Sequence, residues 1–150
     1  MRPSWDEFFM NVAVNLKTRS TCLRRQVGAV LVAERRILAT GYNGSPPGDE
    51  HCSDIGCLRQ TLDIPSGERH EICRAVHAEQ NLLVQLAKHG TTWPSSACVK
   101  VYCTTFPCYI CAKLLVSIGV KEIYYIDGYP DKLSEELLKR MNVRCIQMKL

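Results

Sequence analysis

The sequence has no apolar run approaching the roughly 18 residues that a membrane span requires, no low-complexity tract and no repeat at the period of a solenoid. These absences exclude a membrane-embedded helix and a repeat architecture. The opening residues, Met1-Arg2-Pro3-Ser4-Trp5-Asp6-Glu7, lack the basic-then-apolar order of a secretory signal and carry early acids that a transit peptide avoids. A cytoplasmic location follows by default. Long basic runs are missing too: Arg24-Arg25, Arg35-Arg36 and Lys139-Arg140 are isolated pairs interleaved with acids, and the net charge is only +4. This argues against a nucleic-acid partner and a membrane-surface partner, whereas a small phosphorylated ligand needs only one or two well-placed cations.

What is present suits one globular domain over residues 1–150. At 150 residues, 46% hydrophobic and 23% charged, the chain can bury about 70% of the surface its extended form exposes. It therefore needs no covalent staple for bulk stability. Its nine cysteines, an odd number without an export signal, read as metal ligands and core thiols rather than as a disulfide framework.

Trp5, Phe8, Phe9, Val12, Ala13 and Leu16 recur at steps of three and four, with Ser4 as cap and Asp6 and Glu7 in the first turn, so the chain opens on a helix. Gln26 to Ala33 and Arg36 to Tyr42 form a hairpin about Glu34-Arg35. From Asn43-Gly44-Ser45-Pro46-Pro47-Gly48 to about Arg74 no period is sustained, and so long a connection implies something that ties it down. Val76 to His89 reads as a helix capped by Gly90, Cys98 to Thr104 as a strand, and Cys108 to Ile118 as a helix behind Pro107. Lys121 to Ile126 is a strand, Lys132 to Met141 a helix capped by Asp131, and Val143 to Met148 a last strand. Strands joined by such helices run parallel, because a crossover returns the chain to the same end of the sheet. The expectation is an α/β fold: a three-layer α/β/α sandwich around a five-stranded mixed sheet.

Two short stretches carry chemistry. His77-Ala78-Glu79 and Pro107-Cys108-Tyr109-Ile110-Cys111 both fall where helices begin, and unpaired N–H groups at a helix start favour thiolate. His77, Cys108 and Cys111 are suited to hold zinc, two thiolates and a neutral imidazole balancing its charge. Three protein ligands leave the fourth tetrahedral position for water, whose pKa zinc lowers from 15.7 to about 7. Glu79 is then the general acid and base, a role typically worth 10²–10⁴-fold. The plainer alternative is a structural zinc with its fourth ligand elsewhere, Glu79 being a solvated helix acid.

The H-x-E and P-C-x-x-C pair is similar to the signature of zinc-dependent nucleobase deaminases, in which water adds to C4 of a cytosine, the glutamate carries protons and ammonia leaves. From first helix to last strand the chain resembles the deoxycytidylate (dCMP) deaminases. Gly41-Tyr42-Asn43-Gly44-Ser45-Pro46, after Val27-Gly28-Ala29-Val30, looks like that family's nucleotide-binding segment. The resemblance implies that Asn43 contacts the deoxyribose, although Asn-Gly alone reads as an ordinary turn. It also implies that the Ala78 N–H holds the base carbonyl, that Thr104-Thr105-Phe106 lines the pocket and that Tyr129 closes over sugar and phosphate. A homohexamer is implied as well, activated by dCTP and inhibited by dTTP, with Mg²⁺ accompanying the regulatory nucleotide.

A second cluster, Cys22, Cys52, Cys57, His70 and Cys73, crowds the aperiodic stretch with His51 beside it. Four such side chains could close a structural zinc. The resemblance matches Cys22 and Cys52 to ligands of a second zinc; His70 and Cys73 are chosen on proximity and spacing, with Cys57 in reserve. Free thiols and surface histidines are the plainer reading. Cys98, Cys103 and Cys145 fall on strands as small core residues, and Trp5 and Trp93 as packing residues.

The leading function is hydrolytic deamination of dCMP to dUMP and ammonia, supplying dUMP for thymidylate synthesis. The alternatives are a deaminase of RNA or single-stranded DNA, for which a basic, aromatic-lined groove is missing from the pattern, and a noncatalytic zinc-binding interaction module.

Overall fold

A computed structural model describes residues 1–128 and 130–150. Tyr129, expected to close over the substrate, lies outside the described residues. Helix α1 (Trp5–Lys17) leads to strands β1 (Gly28–Ala33) and β2 (Arg36–Tyr42), then to one-turn helices α2 (Cys52–Ile55) and α3 (Leu58–Thr61). Helix α4 (Ala78–His89), β3 (Val99–Thr105), α5 (Tyr109–Ser117), β4 (Val120–Asp127), α6 (Lys132–Arg140) and β5 (Arg144–Gln147) complete the chain. The expected long elements are all present.

The sheet order is β2-β1-β3-β4-β5. β1 runs antiparallel to β2 and β3, while β3, β4 and β5 are mutually parallel. β2 and β3, joined through α4, therefore point the same way with β1 between them, as the crossover argument requires. Glu34 and Arg35 both take positive φ, 53° and 61°, closing the β1–β2 hairpin with the turn that matches strand twist.

Period-two alternation divides the core in two. Ala29, Leu31, Val101, Cys103 and Ile123 pack beneath α4, α5 and α6, and Val30, Val32, Tyr102 and Tyr124 pack beneath α1 with Phe9, Met10 and Ala13. The result is the expected sandwich, with α1 alone on one face. Ser4 and Glu7 form a reciprocal capping box at the start of α1, and Asp131 caps α6 by accepting from the Ser134 N–H at 2.8 Å.

Two glycines let the helices settle. A Cβ on Gly28 would lie 2.1 Å from Ala13 O of α1, and one on Gly41 2.1 Å from Ala78 O of α4. Only the lack of a side chain permits so close an approach.

The expected irregular stretch contains α2, α3 and a 3₁₀ turn at His70–Ile72, each too short to show a period. It is tied down by guanidinium groups that donate to backbone carbonyls: Arg24 Nη2 to Ile64 O at 2.9 Å, Arg59 Nη1 to Glu68 O at 2.9 Å, and Arg74 Nη1 to Gly56 O at 2.8 Å. All nine cysteines are unpaired. Of the three expected as core thiols on strands only Cys103 is buried; Cys98 precedes β3 and Cys145 sits on the edge strand β5, and both are exposed. Trp93 packs against the larger core, whereas Trp5 is half exposed beneath the Arg35 guanidinium. Among the described residues, no helix is long and apolar enough to cross a membrane.

Candidate functional site

The starts of α4 and α5 meet beyond the carboxyl end of β3, where open α/β sheets place their sites. His77 is the N-cap of α4 and Cys108 that of α5, both with extended backbone. Cys111 follows in the first turn of α5, and the His77 N–H is held by Gln80 Oε1 at 2.8 Å. Both cap positions aim their side chains across the gap between the helices.

His77 Nδ1 lies 3.3 Å from Cys111 Sγ and 3.6 Å from Cys108 Sγ. Tetrahedral zinc with ordinary Zn–N and Zn–S bonds separates such a nitrogen and sulfur by about 3.5 Å. The donor set and its spacing therefore fit zinc, and among the described residues these three form the group whose ligand atoms lie within 4.8 Å of one another.

Of the three donors, Cys108 is shifted toward the form that ligates a cation, and Cys111 and His77 away from it. The Cys108 thiol is lowered to about 4, first by its hydrogen bond with Cys111 and then by that with His77. Cys111 is pushed up by the same bond to Cys108, by burial and by the nearby Glu79 carboxylate. His77 is raised, chiefly by its hydrogen bond with Cys108. The pair favours thiolate at Cys108, and a bound divalent cation would displace the proton of Cys111 and hold His77 neutral.

Glu79, on the second residue of α4, is 5% exposed. It shares the inward face of the helix with Ala78, Leu82 and Leu86, an unusual place for a carboxylate without a task. The Cys103 thiol donates to its Oε1 at 2.9 Å.

A cleft of about 260 Å³ opens over these groups, lined by Asn43, Ala78, Glu79, Thr105 and Phe106 as well as His77 and Cys108. Asn43 is buried and its amide is well used: Oδ1 accepts from Ser20 Oγ at 2.6 Å and the Val27 N–H at 2.8 Å, while Nδ2 donates to Arg25 O at 2.7 Å. Thr104 does not line the cleft. It shares the strand parity of Tyr102, and its Oγ1 accepts from the Gly28 N–H at 3.2 Å, whereas Thr105 shares the parity of Cys103 and faces the site.

The second expected ligand set is not drawn together in the same way. Cys22, Cys57 and Cys73 surround Cys52 closely enough that their charges add to burial in raising its thiol, against a hydrogen bond from Arg74. Their ligand atoms do not reach the spacing of the His77 group. His70 departs from them: its Nδ1 lies 3.3 Å from Arg59 Nη1, and its ring meets that of His77 edge-on at 5.2 Å. Arg24, Arg25 and Arg59 also line the cleft, and the pattern of residues gave none of them a role. The available signal was that arginines near a stretch without period must act through the folded chain.

A histidine, a buried glutamate and two cysteines held by facing helix starts, above a mixed sheet, define the class of zinc-dependent nucleobase deaminases. The family model described as the cytidine and deoxycytidylate deaminase zinc-binding region matches residues 3–127. A deoxycytidylate deaminase of Schizosaccharomyces pombe is 37% identical over 147 residues, covering 97% of this chain and 44% of that protein. ComE operon protein 2 of Bacillus subtilis is 37% identical over 150 residues, covering 99% of this chain and 74% of that protein. The crystal structure of the dCMP deaminase of cyanophage S-TIM5 in complex with dCMP and dUMP superposes with a TM-score of 0.77 at 31% identity, covering 99% of both chains. The chain belongs to the cytidine and deoxycytidylate deaminase family. It spans less than half the length of the S. pombe relative.

Proposed function

We propose that the protein deaminates dCMP hydrolytically to dUMP and ammonia, supplying dUMP for thymidylate synthesis. The observation that carries this reading is the His77, Cys108 and Cys111 triangle beside a buried Glu79 in one cleft. When bound, zinc lowers the pKa of a water in its open position. Glu79 takes a proton from the attacking water and delivers it to N3 of the cytosine, then takes the second proton from the hydroxyl added at C4 and passes it to the departing amine. The Ala78 N–H, unpaired at the first position of α4, holds the base carbonyl. Asn43, Thr105 and Phe106 bound the sugar and base, with Thr104 behind them fixing β3 against β1. Burial of Glu79 excludes bulk water from the proton path.

The finer features belong to the same proposal: one domain over residues 1–150, a cytoplasmic homohexamer, dCTP as activator, dTTP as inhibitor and Mg²⁺ with the regulatory nucleotide. A second, structural zinc on Cys22, Cys52 and Cys73 takes Cys57 as its fourth ligand in preference to His70. The field of Cys57 at Cys52 supports that choice, and so does the engagement of His70 with Arg59. Metal analysis returning two zinc ions per chain supports it; one per chain removes it.

The deciding experiment is a deamination assay on dCMP, dCTP, CMP and deoxycytidine, each with and without added dCTP or dTTP. Preference for dCMP is expected. Preference for the unphosphorylated nucleoside, or turnover confined to RNA or single-stranded DNA, overturns the reading.

A further inference from the structure

Thr105, Phe106, Pro107 and Cys108 line the cleft in succession, from the end of β3 to the cap of α5. This wall is held by the end of the neighbouring strand, where Thr105 pairs with Asp127 of β4. The Thr105 hydroxyl donates to Asp127 Oδ1 at 2.9 Å, and the Phe106 N–H donates to Asp127 O, also at 2.9 Å. Asp127 thus grips two consecutive residues of the wall, one with its carboxylate and one with its carbonyl. Gly128 closes the other side: its φ is 92°, and a Cβ there would lie 2.9 Å from Thr105 Cγ2 and 3.1 Å from Phe106 N. The Phe106 ring meets that of Tyr125 edge-on, with centroids 4.9 Å apart.

Asp127 is exposed and does not line the cleft, so its side chain reaches the cleft only through the residue it holds. Thr105 has one hydroxyl proton and gives it to a carboxylate, a charge-assisted bond roughly twice as strong as a neutral one. With Oγ1 directed to Asp127 and Cγ2 against Gly128, the β-branched side chain has a single rotamer open to it. We propose that Asp127 is a positioning residue for the reaction: its carboxylate fixes the Thr105 side chain and so sets the wall against which the substrate is seated. This rests on the reading of the cleft as a deaminase site. The end of β4, which carries no motif, then belongs to the machinery of the cleft.

The test is kcat, KM for dCMP, zinc content and melting temperature, measured on the zinc-loaded protein and on Asp127→Ala, Asp127→Asn, Thr105→Val and the double variant Asp127→Ala with Thr105→Val. Asp127→Ala is expected to raise KM by roughly 3- to 10-fold, the low end for a bond to a charged group because this one is partly solvated. Its kcat should stay within about twofold, since Thr105 bounds the substrate away from the reacting atoms and acts on ground state and transition state alike. Asp127→Asn, whose amide oxygen still accepts the hydroxyl, should recover most of the loss. In the Thr105→Val background Asp127→Ala should change nothing further, its route to the cleft being gone. Zinc content and melting temperature should hold, because every variant keeps the carbonyl that binds the Phe106 N–H. An unchanged KM in Asp127→Ala, additive losses in the double variant, or a fall in zinc or melting temperature that tracks the lost activity overturns the role while the function stands. Should Asp127→Ala fail to fold, Thr105→Val decides: it shows the same rise in KM or the role is overturned. Failure of the unaltered protein to deaminate dCMP instead defeats the reading of the function, and this role with it.

Discussion

The Cys103 thiol in β3 donates to Oε1 of Glu79 at 2.9 Å, with both residues buried. Burial and the adjoining carboxylate push that thiol well above its ordinary value, so it remains a donor. Cys103 is thereby a positioning residue for the proposed proton carrier. Cys103→Val is expected to lower kcat by roughly 3- to 10-fold, the worth of one hydrogen bond from a weak thiol donor, with KM and zinc content unchanged. Cys103→Ser, which restores a donor, should recover most of the loss. Equal kcat in all three proteins would show that the contact is packing alone.

Glu79→Gln keeps the shape of the side chain and removes its capacity to accept a proton. Turnover should drop by about 10²- to 10⁴-fold while zinc remains bound, because the carboxylate is no ligand. Metal content measured beside single-turnover kinetics checks both halves.

Removing zinc with a chelator should lower the melting temperature by about 5–10 °C. This follows from roughly 2.7 kcal/mol for a ligand at 100 times its Kd and 2–4 °C per kcal/mol for a chain of this size. Cys111→Ser should bind less zinc, and its melting temperature should respond correspondingly little to the chelator. Thermal melts with and without added zinc measure this.

Gly41→Ala forces a Cβ to within 2.1 Å of Ala78 O and 2.9 Å of Leu82 N, both backbone atoms that cannot swing aside. A cost of about 1–3 kcal/mol is expected, together with lost activity because the displaced helix carries Glu79. Gly28→Ala presses instead on Ala13 O and Lys17 N of α1, which contributes nothing to the cleft lining. It should cost similar stability with a smaller loss of turnover, as urea titrations and initial rates will show.

Alkaline pH should weaken the fold through Tyr102. Burial, followed by the hydrogen bond its hydroxyl donates to Asp6 at 2.5 Å, raises this phenol in the folded chain. The unfolded chain ionises it near pH 10. The folded state therefore holds the extra proton above that pH, and the stability it confers, complete below about 10, is lost as pH rises further. Tyr124, raised by burial and by its bond to Glu122, acts in the same direction. Tyr102→Phe is expected to show a shallower loss of unfolding free energy between pH 8 and 10.5 than the parent protein.

The long elements were legible because each carries its own period. The first helix was legible as an element, but of its expected stripe Phe9 and Ala13 are buried while Trp5 and Phe8 are exposed, and Met10, outside that stripe, is fully buried; Leu31, Val101 and Ile123 mark strands whose neighbours face the opposite layer. The candidate zinc ligands His77, Cys108 and Cys111 and the carboxylate of Glu79 were legible for a related reason: a cap position and its first turn are local, so these residues announce their geometry within a few positions. Thr104 and Thr105 were not separable, since strand parity depends on where the strand begins. Helices α2 and α3 escaped because one turn shows no period.

By itself, then, the sequence determined the layers and the order of the elements, which follow from short-range spacing, and marked the candidate reacting groups through motifs similar to a known signature. Tertiary structure alone decided which face each strand residue presents to the cleft, that Cys103 bonds Glu79, and that His70 turns to Arg59 instead of to Cys52. It alone brought Arg24 and Arg59, 35 residues apart, into one cleft. Contacts between residues so distant depend on how the helices and strands pack, and no local pattern of residue types encodes that distance.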